Sequence, residues 1–220
     1  MQTERKLITA MDHIKRLLGL EKTLSGLSVY EGWMIAKCRF CLKKQKEDSV
    51  KTVLHFEQPD NDGYTYKMQV QGRDARLVKV LITEQSRRVE DRLEVTLIDP
   101  GNLSGGKQSN RTPVLSQDTQ SSTPLTVTEK EIQSYLQAVN DTNPIHQGEN
   151  AIVPGFLMVN RLFKMFQDRL PDQLQMDVRF LTPLQVGEEA AFCMEPEENK
   201  TTFLLKTLTK TILKASVTEI

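Results

Sequence analysis

The sequence predicts an α+β fold, with helices and antiparallel strands in separate stretches of the chain. Three observations lead there. An amphipathic helical period at the N-terminus gives way to segments rich in β-branched and aromatic residues. A second helical period opens after a polar stretch near mid-chain. A helix apolar over much of its circumference then precedes four more strand-like segments.

The first helix is carried by Leu7, Ile8, Met11, Ile14, Leu17 and Leu18, which fall on one face, and Gly19 is its expected stop. Strands are expected near 29–42, 50–56, 64–70, 77–83 and 93–98, separated by turn signals such as Pro59-Asp60-Asn61-Asp62-Gly63. Residues 101–124 are dominated by Gly, Ser, Thr, Asn, Gln and Pro and have little to bury, so they read as a linker. The expected division is therefore 1–100, a linker at 101–124, and 125–220.

The second half opens with Thr128 and Glu131 at capping-box spacing. Ile132, Tyr135, Leu136 and Val139 form the apolar stripe, and the run Asn140-Asp141-Thr142-Asn143-Pro144 ends the helix. Pro154 is suited to the first turn of the next helix, where no amide donor is needed. Phe156, Leu157, Val159, Leu162, Phe163 and Phe166 make that helix a buried one. Strands are then expected at 175–181, 190–194, 203–209 and 211–217.

Of the 220 residues, 29 are Lys or Arg and 29 are Asp or Glu, so charge gives no reason to expect nucleic acid as a partner. The apolar runs fall far short of a membrane span, and the charged N-terminus lacks a signal-peptide core, so the expected location is cytoplasmic. Three cysteines suit a reducing compartment. In that setting the sequons at Asn102, Asn110, Asn140 and Asn199 are not read as glycosylation sites.

The chemistry is concentrated in Asp141, Asn143-Pro144 and His146, followed by Val153-Pro154-Gly155-Phe156 and by 176–188. Asp141 and His146 supply two bases of different strength, with ordinary pKa values of about 4 and 6.5. Such a pair around one water can hold it, take its proton and return it. A backbone amide at a helix N-terminus can receive a developing oxyanion, and Gly155 leaves that amide open to close approach. Taken singly, Asp-X-Asn-Pro is a turn, a histidine is a structural residue, and Pro-Gly is a helix start. The order and spacing of all three carry the argument.

These segments resemble the signature of the MaoC-like hydratase/dehydratase branch of the hot-dog fold, over roughly the last 95 residues. The resemblance implies a sheet wrapped around the helix that starts near Pro154. It implies Asp141 and His146 as the catalytic pair, assisted by Asn143, with the Gly155 N–H binding the thioester carbonyl. Val153, Pro154 and Phe156 would contact the substrate. The implied reaction is reversible hydration of a trans-2-enoyl thioester to the (R)-3-hydroxyacyl thioester, on CoA or acyl carrier protein, with no metal or redox cofactor.

Only Gln147 to Val153 separate the histidine from the helix start, a spacing similar to that of 3-hydroxyacyl-ACP dehydratases. Those enzymes carry an acid on the central helix where this chain has Asn160. The helix-then-strands order of residues 1–100 resembles a second hot-dog that has lost its motif, against the alternative of an unrelated α+β lobe. A double hot-dog with one site follows, as a pseudo-dimer or with a further homodimer. Cys38-Arg-Phe-Cys41 has redox or zinc spacing, yet residues three apart on a strand face opposite ways, so it is assigned no function. Lys43, Lys44 and Lys46 read as a solvated turn that could touch a CoA phosphate or an acidic carrier. Two other functions fit a hot-dog pocket: a thioesterase, and a non-catalytic acyl-thioester-binding module that would need neither Asp141 nor His146.

Overall fold

The computed structural model describes residues 2–25, 32–44, 64–70, 75–84, 89–98, 122–148 and 150–220. The expected strand at 50–56, the turn at 59–63 and most of the 101–124 stretch lie outside them. The chain runs α1 (Gln2–Ser25), β1 (Met34–Lys44), β2 (Tyr64–Val70), β3 (Ala75–Glu84), β4 (Val89–Ile98) and β5 (Thr123–Leu125). It continues with α2 (Glu129–Val139), α3 (Gly155–Met165), β6 (Leu174–Phe180), β7 (Ala190–Pro196), β8 (Thr201–Lys206) and β9 (Thr211–Glu219).

The nine strands form one antiparallel sheet in the order β2-β3-β4-β1-β6-β9-β8-β7-β5. The seam between the halves is the β1–β6 pair, with Phe40 opposite Met176 and Leu42 opposite Leu174. Alternation decides which face meets the helices. Cys38, Phe40 and Leu42 on β1, Leu93, Val95 and Leu97 on β4, and Leu174, Met176 and Val178 on β6 are buried together. Their neighbours Lys37, Arg39, Glu94, Thr96, Asp177 and Arg179 line a broad polar groove on the other face, where Arg39 pairs with Asp177 at 2.7 Å. A period of two with one solvated face is what an antiparallel sheet covered on one side requires.

α1 does not stop at Gly19 as expected, but continues to Ser25. Leu17, Leu20 and Leu24 are fully buried and extend the stripe beyond the glycine. A helical glycine costs about 1 kcal/mol, whereas burying each leucine gains about 1.5–3 kcal/mol, so packing prevails. The Thr128–Glu131 capping box is present in full at the start of α2. Pro154 stands one residue before α3 rather than inside it, and Gly155 is the first helical residue. α3 buries Phe156, Leu157, Met158, Val159, Asn160, Leu162 and Phe163 between the sheet and α1. The short strand β5 begins at Thr123 and pairs with β7. No helix among the described residues is long and apolar enough to cross a membrane.

Candidate active site

The site begins with the way α2 ends. Asn140 takes the left-handed conformation at φ 55°, its N–H reaching Gln137 O while the Asp141 N–H bonds Leu136 O at 2.9 Å. This pair of bonds is a Schellman closure, and it fixes the backbone of Asp141. Asp141 Oδ1 then accepts the Asn143 N–H at 2.9 Å. That local bond leaves Oδ2 to face His146, whose Nε2 lies 3.8 Å away.

His146 ends a single 3-10 turn, Pro144–His146, and is buried. Its Nδ1 lies 2.7 Å from Ile152 O. A carbonyl only accepts, so Nδ1 carries the proton and Nε2 presents a lone pair towards Asp141. Burial lowers the His146 pKa, while the bond to Ile152 and the Asp141 charge oppose the shift. Two atoms 3.8 Å apart are too distant for a direct hydrogen bond, but each can lie ~2.8 Å from one shared water oxygen.

Ile152 is itself held by its N–H to Ile145 O at 3.0 Å. The Val153 N–H bonds Leu184 O at 2.8 Å, and the Val186 N–H bonds Ala151 O at 3.3 Å. The 176–188 segment thus pins the loop between the histidine and α3, with Gly187 at φ 75° allowing its turn.

An apolar cavity of about 110 Å³ opens beside His146 and Gly155. One wall is Trp33 and, at the start of β1, Met34, Ile35 and Ala36; the opposite wall includes Val153, Met158, Phe180 and Leu184. Both halves of the chain therefore build it. Gly155 starts α3, and the first intrahelical bond is accepted by Pro154 O from Met158, so the amides before Met158 have no helical acceptor. A Cβ at Gly155 would lie 2.8 Å from the Phe180 ring.

Of the residues singled out from sequence, His146, Val153 and Gly155 meet at this cavity. Asp141 lies 3.8 Å from His146 and is not among the residues that line the cavity. Phe156 points elsewhere, its ring edge-on to Phe40 at 5.6 Å, and Pro154 does not line the cavity. Asn143 has an architectural place. Its Oδ1 accepts the Gly32 N–H at 3.2 Å, and its Nδ2 donates to Trp33 O at 2.9 Å. The side chain expected to assist the pair thus fixes the residues that begin the opposite wall. Cys38 is buried and Cys41 half-buried on β1, both as free thiols. Among the described residues no group of three or more His, Cys, Asp or Glu could hold a metal ion.

Sequence reasoning did not find Glu21, which is buried on α1 against Tyr135 and Asn160. The signal was present: Glu21 interrupts the stripe of Leu17, Leu20 and Leu24 at a core position.

One antiparallel sheet covering a buried helix, with a carboxylate–imidazole pair near the helix's first turn, defines an α+β protein of the hot-dog fold. Within that fold the chain has the architecture seen in MaoC-like structures. Over 92% of its length it matches HtdX from Mycobacterium tuberculosis, covering 84% of that chain at a TM-score of 0.66 and 17% identity. A MaoC-like dehydratase from Phytophthora capsici matches 89% of the chain and 72% of its own, at a TM-score of 0.56 and 13% identity. An acyl-ACP thioesterase from Bacteroides thetaiotaomicron matches 84% and 75%, at 0.51 and 11%. No protein-family model and no curated protein matches the sequence.

Proposed function

We propose that the chain reversibly hydrates a trans-2-enoyl thioester to the (R)-3-hydroxyacyl thioester. The observation that carries this is the buried Asp141–His146 pair, 3.8 Å apart, beside an apolar cavity that also reaches Gly155. Water held by the pair loses a proton and its hydroxyl adds to C3. The thioester oxygen then carries enolate-like charge, which the amide of Gly155 receives at the N-terminal end of α3. The proton returns to C2, so the sum is addition of one water. Asn143 serves by holding Trp33 in the facing wall. Val153 contacts the acyl chain.

The carrier is CoA or acyl carrier protein. Residues 125–220 are the catalytic half, residues 1–100 a second hot-dog without the motif, and 101–124 the connection between them. The chain is its own pseudo-dimer and acts in the cytoplasm. Incubation with crotonyl-CoA, followed at the enoyl-thioester absorbance band, tests the reading: wild type removes the band. The thioesterase likeness supports one rival, in which the same water attacks C1. That reaction frees a thiol detectable with Ellman's reagent and would replace this reading.

Two further outcomes follow from the site. His146 must be neutral to accept a proton, and burial keeps it so below its ordinary value of 6.5. The acid limb of kcat/KM is therefore expected below pH 6.5; a midpoint above it would contradict the buried, neutral imidazole. Gly155→Ala pushes the Phe180 ring from 2.8 Å contact towards the cavity it lines. Such overpacking costs about 1–3 kcal/mol of stability, which thermal unfolding measures, and the displaced ring narrows the cavity, so kcat/KM should fall about tenfold or more while the fold persists. Unchanged kinetics would show that no substrate passes Phe180.

A further inference from the structure

Glu21 presents an accounting problem that one proton solves. The residue is 1% exposed and lies between α1, α2 and α3. Its Oε2 accepts the Tyr135 hydroxyl at 2.8 Å and the Asn160 Nδ2 at 3.4 Å. Two buried atoms remain without a partner among the described residues: Glu21 Oε1 and Asn160 Oδ1. Both are acceptors when the carboxyl is ionised, so neither can satisfy the other. They are also the two free ends of a pair already joined at Oε2 and Nδ2. A proton on Oε1 makes it a donor to Oδ1 and closes a cyclic acid–amide pair. An ionised Glu21 would leave a buried charge and a buried carbonyl unsatisfied, which folding strongly disfavours.

We propose that Glu21 is a positioning residue for the hydration site: a neutral carboxylic acid that donates from Oε1 to Asn160 Oδ1, clamps α1 of the N-terminal half onto α2 and α3, and thereby fixes the turn carrying Asp141. The proposal deepens the hydratase reading and rests on it for the role of Asp141. The path is short. Tyr135 lies in the last turns of α2, and Leu136 accepts the backbone bond that aims Asp141. Asn160 sits on α3, whose first turn reaches the cavity. The central helix thus carries an amide, and the acid that engages it comes from the other half of the chain.

Electrostatics agree with the geometry. Burial pushes the Glu21 carboxyl up to about 8; the bonds from Tyr135 and Asn160 oppose this, and the Asp141 charge adds to it. The titratable groups bearing on Glu21 from the packed elements are Tyr135 on α2, Asp141 in the turn after it, and Cys38 on β1. The direction of linkage follows. A folded value above the ordinary 4.5 means the native state holds the extra proton between about 4.5 and 8. The stability this contributes is fully present below 4.5 and is lost as pH rises through about 8.

The test compares the whole wild-type chain with E21Q and E21A. Glutamine reproduces the neutral pattern, an amide N–H replacing the acid proton, so E21Q should fold. Relative to E21Q, the wild-type thermal midpoint should decline from pH 5 to pH 8 and level off above; parallel curves would overturn the protonated clamp. With crotonyl-CoA at pH 7, E21A should lower kcat about tenfold or more with KM little moved, since small misplacements of reacting groups are costly. E21Q should restore kcat and lack the wild-type fall above pH 8. Wild-type kcat in E21A, or no restoration in E21Q, would overturn the positioning role. An inactive wild type would remove the hydratase reading and the role with it, while the unfolding comparison still decides the clamp.

Discussion

Asp141→Asn is expected to reduce enoyl-thioester hydration about 10³-fold while leaving the fold intact, within the range lost when a general acid–base group is removed. The change is isosteric. An amide oxygen in place of Oδ1 can still accept the Asn143 N–H, so the Asx turn survives. The other position is where the change acts. An amide nitrogen in place of Oδ2 would face His146 Nε2 across 3.8 Å and turn a donor towards the shared water, where the carboxylate accepts. The variant thus loses the carboxylate that accepts from this water. Absorbance of crotonyl-CoA measures the effect, with thermal unfolding as the control for folding. Activity within tenfold of wild type would remove Asp141 from the reaction.

The largest effect on stability is expected from Phe163→Ala. Phe163 is fully buried on α3, and the His13 ring of α1 meets its ring edge-on at 5.8 Å. His13 cannot readily follow a shrinking neighbour, because its Nε2 is held against Asp172 O at 2.9 Å. The cavity should therefore stay largely open, with a cost of about 3–5 kcal/mol. Against a total of about 5–15 kcal/mol, that is a large share. Urea unfolding measures it, and a loss below about 1 kcal/mol would mean that α1 collapses onto α3 after all.

Period and punctuation made most of the described elements legible in the sequence. The Thr128–Glu131 box, the apolar run on α3 and the alternation along β6 to β9 are local properties, and each element formed within a few residues of its expected position. The end of α1 was not legible, because Gly19 is a local signal and the burial of Leu20 and Leu24 is tertiary. The short β5 hid within polar sequence, since three residues carry no period. At the site, spacing brought Asp141, His146 and Gly155 to notice; the structure brings His146 and Gly155 to one cavity, with Asp141 3.8 Å from the histidine. Sequence could not show that Asn143 holds Gly32 and Trp33, because those residues are 111 and 110 positions away. Nor could it show the facing wall, which comes from the start of β1.

The seam between β1 and β6 also has a kinetic side. It joins residues as far apart as Arg39 and Asp177, 138 positions along the chain, whereas β2, β3 and β4 pair with near neighbours. Closing so long a loop is slow, and local hairpins form well before it. A growing chain can therefore pair β1 with β4 and then hold the other edge of β1 open until residue 174 has been made. An open strand edge is a template for any matching strand, and charges such as Lys37 and Arg39 blunt it. In concentrated refolding, β6 of a neighbouring molecule can compete for that edge with the chain's own, and a strand-exchanged dimer formed in this way would have each cavity beside His146 walled by two chains.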